Sequence, residues 1–175
     1  MKNKIILLIL ALALVFVFGG CKNEDEVETE FNPEEFSYDM LDLSVVIDEI
    51  YSKIEISDLL ERSVKPVTDK TFIEEQLYLN LKNIVSYEIR CAEGNYGVAD
   101  VAIIRVKEGK ATEVMESLES RKDDRISEFR NYDVYDSYNV AMNAEIYDEG
   151  ELVIMLMLSE DDKEIAKEII NYYLP

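Results

Sequence analysis

Apolar and polar positions divide the chain into three regimes. Ile5 to Phe18 is an unbroken apolar run, with Lys2 and Lys4 before it and Gly19-Gly20-Cys21 after it. Residues 22–39 then hold eight acids against one lysine, with Pro33 in the middle and few apolar groups. From about Met40 the pattern becomes periodic. Leu43, Val46, Ile47, Ile50 and Ile54 recur at helical spacing behind Asp42, which is well placed as an N-cap. Asp69–Tyr78 predicts a second, shorter helix capped by Thr68 or Asp69. Pro66 blocks a helix in the ambiguous stretch Glu55–Val67.

Beyond Asn83 the period shortens to that of strands. Ile84–Ala92 and Val98–Lys107 flank Glu93-Gly94-Asn95-Tyr96-Gly97, a loop whose glycines suit a hairpin. Gly109–Arg130 predicts the longest helix. Its core stripe reads Ala111, Val114, Met115, Leu118, Ile126 and Phe129, and charges such as Glu116, Glu119, Arg121 and Asp123 fill much of the rest. A short irregular or helical piece spans Val134–Met142. Ala144–Tyr147 and Leu152–Leu158 form a second hairpin around Asp148-Glu149-Gly150. Ser159 caps a last helix with Glu160, Asp161 and Asp162 in its first turn, where the helix dipole favours acids.

This order predicts an α+β fold: an antiparallel four-stranded sheet from two strand-strand-helix units, preceded by two N-terminal helices. Roughly 135 residues, 40–175, suit a single domain. Leu152–Leu158 and much of Val98–Val106 are apolar on both faces, so the sheet needs cover on both sides. The helices at 109–130 and 160–173 are expected on one face. The N-terminal helices, or something outside the chain, would cover the other.

The leader adds an address. A charged start, an apolar run and small residues before a cut are the layout of a secretory signal over residues 1–20. Its 14 apolar residues fall short of the ~20 that span a bilayer, which favours cleavage. Phe18-Gly19-Gly20-Cys21 resembles the lipobox of bacterial lipoproteins, with Phe18 where Leu is usual. That resemblance implies cleavage between Gly20 and Cys21 and a diacylglyceryl group on the Cys21 thiol. The membrane is then the expected partner, at the outer face of the bacterial cytoplasmic membrane. Two acyl chains, at about 0.8 kcal/mol per buried methylene, give stable anchoring. The acidic segment 21–39 would be a disordered tether reaching on the order of 25 Å.

Charge narrows the partners. The formal net charge is −20, and removal of residues 1–20 takes away Lys2 and Lys4 and no acid, giving −22. A chain so acidic repels nucleic acid and anionic head groups alike. With Cys21 lipidated only Cys91 remains, so no internal disulfide forms. Cys91 shares a strand face with Val85, Tyr87 and Ile89 and reads as a small buried hydrophobe. The absence of histidine excludes Ser-His-Asp and Cys-His catalysis and any imidazole metal site. No phosphate loop, G-x-S-x-G or calcium loop occurs, so no cofactor, metal ligand or catalytic residue is assigned.

The segment from about Leu41 onward resembles a domain-of-unknown-function family of putative lipoproteins from clostridial-type Gram-positive bacteria. The residues that carry the likeness are Leu43-Ser44-x-Val46-x-Asp48, and Tyr78-Leu79-Asn80-Leu81-x-Asn83-Ile84-x-x-Tyr87. To these add Ala99-Asp100-Val101-Ala102-Ile103, Leu118-x-x-Arg121 and Phe129-x-x-Tyr132. Glu151-Leu152 departs from it, since an aromatic commonly follows the turn glycine there. The resemblance implies a fold and an address but no activity. One enrichment then stands out. Tyr132, Tyr135 and Tyr138 lie three apart, a stripe if helical, suited either to packing over the sheet edge or to binding an envelope protein or glycan. The expected function is therefore a non-enzymatic interaction module, the alternative being a histidine-free extracytoplasmic hydrolase.

Overall fold

The computed structural model describes residues 42–174. The leader 1–20, Cys21 and the acidic stretch to residue 39 lie outside the described residues. So does Met40, where the sequence pattern starts the domain.

Among the described residues six α-helices and five strands follow one another in this order: α1 Leu43–Lys53, α2 Asp58–Ser63, β1 Val64–Pro66, α3 Lys70–Glu75, β2 Ile84–Ala92, β3 Asp100–Val106, α4 Ala111–Phe129, α5 Ser137–Met142, β4 Glu145–Glu149, β5 Leu152–Met157 and α6 Glu160–Tyr173. Side-chain caps start several helices where expected. Asp42 accepts from the Ser44 amide, Asp69 from Thr71 and Ser159 from Asp162. Three acids fill the first turn of α6.

The fold is α+β, with a sheet of five antiparallel strands rather than four, in the order β1-β2-β3-β5-β4. The two strand-strand-helix units are present, joined through β3 and β5. The additional strand is β1. Pro66 does bar a helix at its own position, but α2 ends just before it, and an edge strand tolerates a residue without an N–H. Among the described residues three α-helices, not two, therefore precede β2. At the start of β2 a bulge between Ile84 and Ser86 puts Ile84 into the core and leaves Val85 59% exposed. Val85 consequently does not share the face of Tyr87, Ile89 and Cys91.

Every residue of β3 and β5 is buried, because both strands are central and covered on both sides. One face carries Ile89, Cys91, Ala102, Ile104, Val153 and Met155 against Ile73 of α3, Val114, Leu118 and Phe129 of α4, and Ala141 of α5. The other carries Val101, Ile103, Ile154 and Leu156 against Leu43, Val46, Ile47 and Ile50 of α1 and Ala166 and Ile170 of α6. The cover comes from within the chain. Its distribution corrects the expectation that the helices at 109–130 and 160–173 share a face: they lie on opposite faces. Alternation along β3 and β5 hands one apolar set to each helix layer.

Candidate functional site

The hairpin loop between β2 and β3 is held at several points by buried polar contacts. Asp100 Oδ1, at the loop's exit, accepts from the Ala92 amide at its entrance (2.9 Å). Arg125 Nη2 of α4 donates to the Gly97 carbonyl (2.6 Å), and Ser137 Oγ at the start of α5 accepts from the Val98 amide (3.1 Å). Gly97 has φ +134°, and a Cβ there would lie 3.1 Å from Ser137 Oγ and 3.2 Å from Leu60 Cδ1. Only glycine suits this backbone.

Beneath the loop sits a buried ion cluster. Asp100 is fully buried, and Arg121 and Arg125 are 6% and 3% exposed. Arg121 Nη2 donates to Asp100 Oδ2 (3.1 Å), and Arg125 Nε lies 3.9 Å from the same oxygen. Arg125 Nη1 also donates to Glu128. The two guanidinium groups lie over Phe72 (5.7 Å) and Phe129 (4.9 Å). Burial is the largest influence on the Arg121 pKa and acts to lower it, but the Asp100 charge and hydrogen bond, together with Cys91 and Glu128, outweigh it and the net shift is upward. Both side chains keep a buried Nε without a hydrogen bond, so the cluster carries an uncompensated desolvation cost. Arg121 was expected on the charged face of the long helix; instead it stands in the core stripe Val114, Leu118, Arg121, Arg125, Phe129. These residues recur at intervals of three and four, so the gap between Leu118 and Ile126 in the apolar pattern marked the spot where two arginines turn inward.

Above the loop lies an open groove of about 590 Å³. Tyr96 comes from the hairpin loop, Tyr132, Val134 and Tyr135 from the α4–α5 connection and Leu59 from α2, with Gly94-Asn95 completing the lining. The three tyrosines do not form a helical stripe. Helix α4 ends at Phe129, and Tyr135 and Asp136 adopt left-handed φ values of 50° and 59° before α5 begins. Asp133 and Asp136 stabilise this turn by accepting from the Tyr138 amide and the Asn139 side-chain amide. The result separates the set. Tyr132 and Tyr135, 62% and 55% exposed, line the groove, whereas Tyr138 is half-buried and packs on the core. Tyr96, 49% exposed, takes the third place. Sequence spacing did not reveal it, since it lies 36 positions before Tyr132.

Leu59, Tyr96, Tyr132 and Tyr135 are four of the nine large hydrophobic side chains that stand exposed among the described residues. Their gathering in one concavity is the kind of patch that marks a contact surface. Two other concavities are smaller. One, lined by Leu59, Arg62, Ser63, Glu93, Gly94 and Tyr96, shares the groove's edge. The other, about 220 Å³ between Lys65–Asp69, Phe72, Cys91 and Glu93, touches the thiol. Burial, then the Asp100 charge, pushes that thiol well above its usual range, so Cys91 is held as an unreactive S–H. Ser63 donates to the Leu60 carbonyl. Among the described residues no group of three or more acidic or cysteine side chains is placed to hold a metal, and no helix is long and apolar enough to cross a membrane.

Compared with known proteins, residues 58–158 match the model of a family described as "Domain of unknown function (DUF4358)". No curated protein and no solved structure matches the chain. The matched stretch contains the whole ion cluster, the hairpin loop and the groove.

Proposed function

The chain belongs to the DUF4358 family, and from that premise we propose that it is a non-enzymatic binding module displayed outside the bacterial cytoplasmic membrane on a lipid attached to Cys21. The groove of Tyr96, Tyr132 and Tyr135 carries this reading. Amphipathic rings at about half exposure, mounted on a rigid support, are the usual anchors of protein and glycan recognition. The buried Asp100–Arg121–Arg125 cluster supports the reading differently. It spends desolvation energy to pin one loop and one helix end, the two segments that supply the tyrosines. The sequence Phe18-Gly19-Gly20-Cys21 supports the anchor, and a processed charge of −22 makes a covalent lipid the means of holding the domain near anionic head groups.

The test has two arms. Cys21→Ala is expected to leave an unprocessed precursor that takes up no radiolabelled lipid; normal labelling removes the anchor. Tyr132→Ala combined with Tyr135→Asn is expected to abolish cross-linking of the full chain to envelope components at an unchanged melting temperature. Asn is chosen because it tolerates the left-handed backbone. Undiminished cross-linking would rule out the groove.

A further inference from the structure

The lining of the tyrosine groove and the charge of the segments that frame it restrict what it can hold. Its seven lining residues include no cation, and three of them present aromatic rings. Carboxylates flank those rings in sequence: Asp133 beside Tyr132, Asp136 beside Tyr135, and Glu93 at the head of the loop that carries Tyr96. Asp133 and Asp136 accept from neutral amides and pair with no cation among the described residues, so their charges are not neutralised. Against them stand Arg62 in the adjoining concavity and Arg130 at the end of α4. The processed chain adds a net charge of −22, the −20 of the full sequence less Lys2 and Lys4. The electron-rich faces of tyrosine attract cations, and an acidic surround strengthens the attraction.

The shape of the groove decides the kind of cation. Sites for small molecules enclose most of the ligand surface. This groove is open along its length and continues into the concavity lined by Arg62 and Glu93. An extended segment can cross both while placing one side chain among the rings.

Resting on the binding role given above, we propose that the groove receives a basic segment of polypeptide, with a lysine or arginine side chain seated among Tyr96, Tyr132 and Tyr135. The carboxylates beside the rings raise the encounter rate, and the rings supply the specificity. Acidic segments and anionic polymers are repelled.

The experiment uses the full lipidated chain in neutral detergent and fluorescence anisotropy with labelled peptides. One peptide alternates glycine with lysine, a second replaces each lysine by glutamate, and an uncharged N-acetylglucosamine tetramer serves as competitor. The lysine peptide is expected to bind with an affinity that falls as salt is raised, and the glutamate peptide not to bind. Tyr132→Ala/Tyr135→Asn leaves the net charge unchanged, so it isolates the rings from the bulk field. It is expected to weaken binding about five-fold or more. Tyr96→Ala, in a separate segment, is expected to do the same and guards against a folding defect in the first variant.

Equal binding by wild type and both variants would show attraction by bulk charge alone and overturn the proposal. So would no binding of the lysine peptide, or its displacement by the sugar. The envelope cross-linking above separates the two levels. If cross-linking depends on the tyrosines while the lysine peptide fails to bind, the basic segment is wrong and the binding groove stands. If cross-linking ignores the tyrosines, both fall.

Discussion

Replacing Asp100 by Asn deletes one charge in the interior and preserves the shape. The consequence can be worked from the contacts. Arg121, 6% exposed, has Asp100 as its one ion-pair partner among the described residues, whereas Arg125 keeps Glu128. Asn retains an acceptor for the Ala92 amide, so that 2.9 Å bond survives. What remains is a buried guanidinium facing a neutral amide, and breaking a buried pair from one side costs about 3–5 kcal/mol. The retained acceptor places Asp100→Asn at the lower end, about 3 kcal/mol. For a domain of this size that corresponds to a fall in Tm of roughly 10 °C. Urea unfolding followed by circular dichroism reads it as a lower midpoint at constant slope. Arg121→Met in the Asp100→Asn background removes the stranded charge and should recover on the order of 1–2 kcal/mol. A loss below about 1 kcal/mol for Asp100→Asn, or strictly additive costs in the double variant, would refute the claim that this pair organises the loop.

Two further outcomes follow from other contacts. Gly97→Ala should cost about 1–3 kcal/mol, because its φ of +134° and the 3.1 Å approach of Ser137 Oγ leave a methyl group no relaxed position; a thermal melt within a degree of wild type would contradict this. Lys167, hydrogen-bonded to Glu145, holds that carboxyl below the usual value of 4.5, against a smaller opposing effect of burial. Because the folded pKa is the lower one, this contribution is complete above about pH 4.5 and disappears as pH falls through the folded value. Glu145→Gln should therefore flatten part of the acid limb of a stability profile taken from pH 6 to pH 3, and an unchanged limb would show that the bond adds nothing.

Periodicity made most of the elements legible, and the failures have physical causes. The bounds of β2 and the Ser159 cap of α6 match the pattern closely, since local side-chain chemistry governs both. Strand β1 escaped because three residues ending in proline carry no alternation, and its pairing with β2 is non-local. The face shared by α1 and α6 escaped because two fully buried strands offer both faces equally to any amphipathic helix. For the site, Tyr132 and Tyr135 stood out only with Tyr138 as three evenly spaced tyrosines, for packing or for binding, and their arrangement depended on two left-handed residues that spacing does not reveal. Arg121 and Arg125 hid in plain view: a charge at a core position reads as surface unless its counter-charge, Asp100, is known to be near.

The pairing of the first and last helices has a consequence for the order of synthesis. Tyr173 donates to Glu49 across 124 positions, and the Glu55 amide donates to Asp162 across 107. Among the described elements α1 is made before and α6 after all the others, so the layer they build together cannot close until α6 has been made. Until then Val101, Ile103, Ile154 and Leu156 lack half of their cover. A nascent chain with an open apolar sheet face remains a substrate for chaperones, and contacts this distant in sequence slow closure further. A chain without α6 thus stays open on that face, and only one that carries it can seal it.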